Sequence, residues 1–517
     1  MTSRVMIAAP MSGSGKTTIT CGLLAALKKR GRRPISFKCG PDYIDPMFHR
    51  RMLGVESDNL DPYFLDQGGI CRLMTEDMDR AGTDFALVEG VMGLYDGLGG
   101  IRPEASSYQL AVWTKTPILL VVNAGGVGRS IVSLLRGFLE DDSKGLIRGC
   151  ILNQVSPSFY PSLKGLIEEE LGLPVCGYLA REEKISIESR HLGLMTPDSL
   201  SDLELKLTKL AEMAKESLDI AAIEKIAEQA SLLNVGENRS GCGNDRSGRD
   251  RQSYSDDGGE LDKQNRDDSG NGLNQQKYSD GRGGQDRQKP KSREYAGKFS
   301  GLRVALAKDR AFSFIYPQNQ RVLEEMGAQI IPFSPLHAKR LPENIDGLIL
   351  SGGYPELYLK QLEDNYGMRT DIRRAISGGL PSIAECGGFL YLQEAVSDPD
   401  GKSYRMCGLL PGKAWKTNRL VRFGYVELRG KKGSGFPGME RIRGHEFHYY
   451  DTSENGSDML ATKPLSGRNW SCAFSGPDHW WGFPHLYYAS CPGFAANFLY
   501  AADLYHKRRM AEERNDD

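Results

Sequence analysis

From about residue 236 to residue 298 the chain is built from Gly, Asp, Arg, Ser, Asn and Gln, with almost nothing apolar. A segment of that composition cannot bury enough surface to offset the entropy of ordering it. It is expected to be a disordered linker, and its acidic residues largely cancel its basic ones. Folded structure must then be built on either side of it, from residues 1–233 and 300–505, with 506–517 as a charged tail. At 517 residues, two or three domains are expected.

Both flanks read as α/β. On the first, short β-rich runs alternate with amphipathic stretches: Val5–Ala9, Phe85–Glu89, Pro117–Val122 and Gly149–Asn153. Such alternation predicts a parallel sheet covered by helices. Leu203–Leu233, rich in Leu, Ala, Lys and Glu, predicts a closing helix. Beyond the linker the same signals return at Gly301–Ala307, Gly347–Leu350, Pro381–Ala384 and Gly424–Leu428.

A phosphate site follows the first strand. Ala8-Ala-Pro-Met-Ser-Gly-Ser-Gly-Lys-Thr-Thr18 leads into an apolar helix beginning near Ile19. It matches the P-loop pattern at Gly15-Lys16-Thr17, with Pro10 in place of the first glycine. Gly13 and Gly15 let backbone N–H groups face phosphate, beside the positive end of the helix. Lys16 is expected to reach the β- and γ-phosphates, and the Thr17 hydroxyl to ligate Mg²⁺. The acidic partners such a site needs are offered by two segments. Glu89 ends a buried strand and Asp96 follows in a glycine-rich loop; Asp42, Tyr43, Asp45 and His49 crowd one turn. Ligands of open α/β sheets bind at these strand ends.

A second site is expected at Cys386. Leu380-Pro-Ser-Ile-Ala-Glu-Cys-Gly-Gly-Phe-Leu-Tyr-Leu392 runs from an apolar strand through Cys and two glycines into an apolar helix. That is the layout of a nucleophile elbow, and the helix N-terminus favours thiolate. The Gly352-Gly353 turn after Leu348-Ile-Leu350, with the N–H of Gly387, could form an oxyanion hole. His485 is the first candidate for the general base, and His445 and His448 the second.

Several classes are excluded. A net charge of -1 and a pI near 6.7 give no global field for nucleic acid or an anionic membrane. No apolar run reaches transmembrane length. The 10 cysteines form no CxxC pair, so neither a disulfide framework nor a zinc module is indicated, and a reduced cytosolic protein is expected.

Taken together, the motifs resemble those of the cobyrinate a,c-diamide synthase family. They are Gly13–Thr18, Lys38-Cys-Gly-Pro-Asp-Tyr-Ile-Asp-Pro46, Glu89-Gly-Val-Met-Gly-Leu-Tyr-Asp-Gly97, Arg190-His-Leu-Gly-Leu194, Gly352-Gly-Tyr-Pro-Glu356, Ala384-Glu-Cys-Gly-Gly388 and Gly444-His-Glu-Phe-His-Tyr449. The resemblance implies two doubly wound α/β domains. The first is a P-loop ATPase domain like dethiobiotin synthetase, the second a class I glutamine amidotransferase. It implies nucleophile Cys386 and base His485, with Gly353 and Gly387 at the oxyanion. Tyr487 stands where related amidotransferases carry a third, acidic residue, so a dyad is expected. It implies ATP at Gly13, Ser14, Gly15, Lys16, Thr17 and Thr18, and Mg²⁺ at Thr17, Glu89 and Asp42. Substrate carboxylates are expected near Asp42, Tyr43, Asp45 and Asp96. The implied reaction amidates the a- and c-acetates of cobyrinate with L-glutamine and ATP; a homodimer is compatible with it. Hydrogenobyrinate and nickel sirohydrochlorin are alternative substrates. A partition-type ATPase switch would leave Cys386 and His485 unused, and Met11 and Ser12 stand where such switches carry a second lysine. A stand-alone glutaminase would leave the P-loop idle. Departures from the family pattern are Asn123 where Asp is frequent, Pro484-His-Leu-Tyr-Tyr488 around the base, and the long linker.

Overall fold

The computed structural model describes residues 2–182, 197–233, 294–431 and 441–516. The expected linker lies outside the described residues except for 294–298, which form a short turn, and so does the Arg190–Leu194 motif. The segments on either side of the linker belong to one compact unit.

The first half is organised on a seven-stranded sheet. Its strands are β1 (Ser3–Ala8), β2 (Pro34–Cys39), β3 (Ser57–Leu60), β4 (Phe85–Glu89), β5 (Ile118–Asn123), β6 (Ile147–Asn153) and β7 (Val175–Leu179). The order is β3-β2-β4-β1-β5-β6-β7 and every pairing is parallel. These strands are nearly continuous apolar runs because helices cover both faces. One apolar layer gathers Val5, Ile7, Leu87 and Val121 beneath helix α1 (Lys16–Lys29); the other gathers Met6, Phe37, Val88 and Leu120. The closing helix expected over Leu203–Leu233 is two helices, Pro197–Ser217 and Ile220–Ala227. The break falls where the Asp219 N–H turns to the Cys176 carbonyl and its side chain caps the second helix at Ala222.

The second half carries a six-stranded sheet. Four of its strands are β8 (Arg303–Ala307), β9 (Gln329–Phe333), β10 (Gly347–Leu350) and β11 (Ser382–Glu385). They run parallel in the order β11-β10-β8-β9, and β11 is extended by His479–Gly482, also parallel. Two further sheets accompany it, one of four strands and one of five. Gly424–Leu428, expected as an α/β strand, lies in Arg422–Gly430 of the antiparallel five-stranded sheet, paired with Ile442–His448. The half therefore exceeds a plain doubly wound domain. Helix Pro492–Asp516 runs through residue 505 without a break, and His506 and Arg509 both reach Asp346 at 2.9 Å. Among the described residues no helix is long and apolar enough to cross a membrane.

The halves meet along aromatic and charged residues. Tyr63 stacks on Tyr425 at 4.2 Å, and Phe64 on Tyr487 at 4.7 Å. Tyr425 donates to Asp61 at 3.0 Å, and Arg321 spans Asp58 at 2.8 Å and Asp77 at 3.1 Å.

Candidate active sites

The turn between β1 and α1 is a phosphate cradle in shape. Gly13 and Gly15 have φ of 79° and 98°, a region that favours glycine. Asn153, at the end of β6, donates to the Ser14 carbonyl at 2.9 Å and lies where a Cβ on Gly15 would fall. The Lys16 amine curls back to the Met92 carbonyl at 2.6 Å. Burial, then the nearby Lys38, pushes it down to about 8. Thr18 follows in the first turn of α1.

Beside the cradle, register does what sequence spacing could not show. Lys38 on β2 and Glu89 on β4 are cross-strand partners. The Lys38 ammonium donates to Glu89 at 2.8 Å and to Asp45 at 2.6 Å, and lies 4.0 Å from Asp42. Burial alone would lower the lysine, but Asp45 and Glu89 outweigh it and hold it charged. Burial would raise Asp45, yet Lys38 holds it below the usual carboxylate range. Glu89, fully buried, is pushed up to about 7 by burial despite Lys38. Its Oε1 accepts from the Thr17 hydroxyl at 2.6 Å. His49 donates to or accepts from Ser36 at 2.8 Å and is held neutral, pushed down to about 4 by burial.

Glu89 Oε2 and Asp45 Oδ1 are buried without hydrogen-bond partners. Among the described residues no three His, Cys, Asp or Glu side chains form a preformed metal cage. A hydroxyl and a carboxylate side by side, with other positions left to phosphate and water, is nonetheless a donor set that suits Mg²⁺. Asp42 is joined to this pair through Lys38, and its Oδ1 caps the turn at Ile44 and Asp45. Burial, then Asp45, lifts it to about 6. Asp96 is half-buried, and accepts from the Gly93 N–H at 2.9 Å.

Cys386 stands at the end of β11 with φ 47° and ψ -101°, a strained conformation for a residue with a side chain. Its N–H donates to the Gly482 carbonyl at 2.8 Å. The thiolate expected from the helix N-terminus does not prevail. Burial and then Glu356 push the thiol up, and the Gly387 N–H pulls it down by less. The physical reason is that the thiol is almost wholly desolvated, while the helix behind it, Gly387–Leu392, is short.

The expected oxyanion residues converge. A Cβ on Gly387 would meet the Gly353 nitrogen at 3.0 Å, and one on Gly352 would overlap His485 Cε1. The His485 imidazole therefore packs against the Gly-Gly turn through Cε1 and Nδ1. Burial, then the neighbouring His445 and His448, pushes His485 far down, so it rests as a neutral base. His445 stands behind it, the rings 5.0 Å apart and 19° from parallel, with Nδ1 3.1 Å from the Tyr316 hydroxyl. His448 is stacked on Phe483 at 4.0 Å, with Nδ1 2.7 Å from the Tyr450 carbonyl. Tyr487 points into the aromatic cluster with Phe64 and Tyr316, away from the base.

Four features escaped sequence reasoning. Lys38 and Glu385 were visible only as letters inside motifs. Asn153 carried no signal beyond ending a strand. The fourth is that Tyr43 reaches across to the thiol site, its ring 5.2 Å from His485 and stacked on Phe314 at 5.1 Å.

Residues 5–194 match the family model of the CobQ/CobB/MinD/ParA nucleotide binding domain. Residues 303–478 match that of the CobB/CobQ-like glutamine amidotransferase domain, which stops short of His485. The chain is 34% identical to a cobyrinate a,c-diamide synthase of Listeria innocua over 89% of its length and 90% of that protein. It is 31% identical to the protein of that name from Priestia megaterium, over 98% of both chains. Against its namesake from Caldanaerobacter subterraneus the figures are 34%, 91% and 91%. Likeness of this depth along both halves makes the chain a member of the cobyrinate a,c-diamide synthase family, a glutamine-dependent amidating ligase with a nucleotide-binding half.

Proposed function

We propose that this protein amidates the a- and c-acetate carboxylates of cobyrinate, using ATP and L-glutamine, one of each per amide. The observation that carries the reading is the meeting of the two sites, where Tyr43 of the acidic turn lies against His485. Ammonia freed at one site passes to the other by an internal route.

At the thiol site Cys386 gives its proton to His485 as Sγ attacks the side-chain amide carbon of glutamine. The Gly353 and Gly387 N–H groups hold the oxyanion. His485 returns the proton to the departing ammonia, and water then cleaves the thioester to glutamate. A neutral thiol beside a neutral imidazole suits proton transfer during attack rather than before it.

In the other half, Gly13, Ser14, Gly15 and Thr18 cradle ATP, and Lys16 reaches its terminal phosphates. Thr17 and Glu89, with Asp42, would hold Mg²⁺, which supplies neutralisation of phosphate charge. Asp42, Tyr43, Asp45 and Asp96 line the acceptor side, with Lys38 holding Asp45 in place. A carboxylate has no useful leaving group, so the γ-phosphoryl is transferred to it first. Ammonia displaces phosphate from the acyl phosphate and leaves the amide. Positioning and charge stabilisation carry most of that catalysis.

The test is Cys386→Ala beside Lys16→Ala, with products read by mass spectrometry over a tetrapyrrole panel. Cys386→Ala is expected to lose glutamine-dependent amidation and keep it with ammonium salt. Lys16→Ala is expected to lose both, and ammonia-dependent product from it overturns the assignment.

A further inference from the structure

We propose that Glu385, the residue just before the nucleophile, is the positioning carboxyl of His485. The inference rests on the reading of Cys386 and His485 as nucleophile and base. Glu385 Oε2 lies 3.8 Å from His485 Nδ1, and that nitrogen is buried with no hydrogen-bond partner. The other oxygen, Oε1, is held by the Leu486 N–H at 3.4 Å and the Tyr488 hydroxyl at 3.3 Å. The carboxyl is thus oriented by two donors with its free oxygen toward the base. Competing acids are placed otherwise. Glu446 lies 3.5 Å from His448, and Glu356 acts on the thiol. Two residues after the histidine, where an acid could have stood, is Tyr487, turned into the aromatic cluster.

The chemistry follows from the two nitrogens. Burial lifts the Glu385 carboxyl to about 8; once ionised it accepts from Nδ1–H, leaves the Nε2 lone pair for the Cys386 proton, and stabilises the imidazolium formed when that proton arrives. Contacts of this kind are often long in an empty site and tighten with substrate. The carboxyl reaches the histidine from the strand before the nucleophile, so base and nucleophile share one rigid support.

Glu385→Gln makes a sharp test. The amide oxygen must stay on Leu486 and Tyr488, both donors, so the NH₂ group turns to Nδ1. Nδ1 then has to accept, and the proton moves to Nε2, the nitrogen that must act as base. We expect kcat for glutamine to fall about 10²-fold or more with KM little changed. Ammonia-dependent synthesis should hold, which also reports a folded protein. ¹⁵N NMR should show His485 passing from the Nδ1–H to the Nε2–H tautomer. Glu385→Asp, which keeps the acceptor, should retain the Nδ1–H tautomer with a smaller loss. Wild-type kcat in Glu385→Gln, a loss without a tautomer change, or an equal loss in Glu385→Asp overturns the proposal. Glutamine-dependent activity surviving in Cys386→Ala overturns instead the reading beneath it.

Discussion

The Tyr43 ring of the first half lies 5.2 Å from the His485 imidazole of the second, tilted by 54°. It also stacks on Phe314 and lies 4.6 Å from Tyr316. One aromatic side chain is therefore shared between the acidic turn and the wall of the thiol site.

Tyr43→Ala is expected to uncouple the halves. Removing a buried aromatic costs about 3 kcal/mol or more of stability and opens the wall beside His485. The amide formed per glutamine hydrolysed should drop by about tenfold, as positioning losses commonly do. Ammonia-dependent synthesis at saturating ammonium should fall less. Measuring both products in one reaction checks this, and an unchanged ratio would count against the coupling.

Gly352→Ala is expected to displace the base. The new methyl would occupy the position of His485 Cε1, and the ring has to move. A shift near 1 Å is enough to cost about 10²-fold in rate. Glutaminase activity should show that loss while ATP-dependent synthesis from ammonia persists.

Arg321→Ala is expected to weaken the junction of the halves. Its guanidinium is the shared partner of Asp58 and Asp77, both almost fully buried. Deleting one partner of a buried pair leaves uncompensated charge and costs roughly 3–5 kcal/mol. The thermal midpoint should fall, and it should fall less below about pH 8 than above it. The reason is that Asp77, pushed up to about 8 chiefly by burial, is then protonated.

Asp61 gives the apo protein a pH-dependent stability. Burial pushes its carboxyl up to about 7, against the hydrogen bonds it accepts from Tyr63 and Tyr425. The folded value lies above the unfolded value of about 3.9, so between the two the folded chain binds the extra proton. Stability is then full below about pH 4 and declines as pH rises toward 7, by roughly 4 kcal/mol in all. Asp61→Asn should lack this slope. The stability gap between wild type and variant, followed by denaturant titration from pH 5 to pH 8, should shift toward the variant as pH rises.

What the sequence determined by itself was whatever sits in one contiguous stretch. The P-loop is a strand, a glycine turn and a helix in order, so its letters imply its geometry. The elbow at Cys386 is the same kind of object, and its strained φ follows from a strand passing into a helix within one residue. The parallel sheet of the first half was legible too, because strands buried on both faces must be continuously apolar. The five-stranded antiparallel sheet of the second half was not, since its half-exposed strands carry weaker patterns. Tertiary structure alone decided the pairings across elements. Lys38 meets Glu89 through the register of β2 and β4. Glu385 faces His485 because the Leu486 N–H reaches across to the Glu385 carboxyl at the end of β11. Tyr43 reaches His485 because the halves pack into one body. Distances such as these are set by packing between segments far apart in the chain, and residue spacing along the chain carries no record of them.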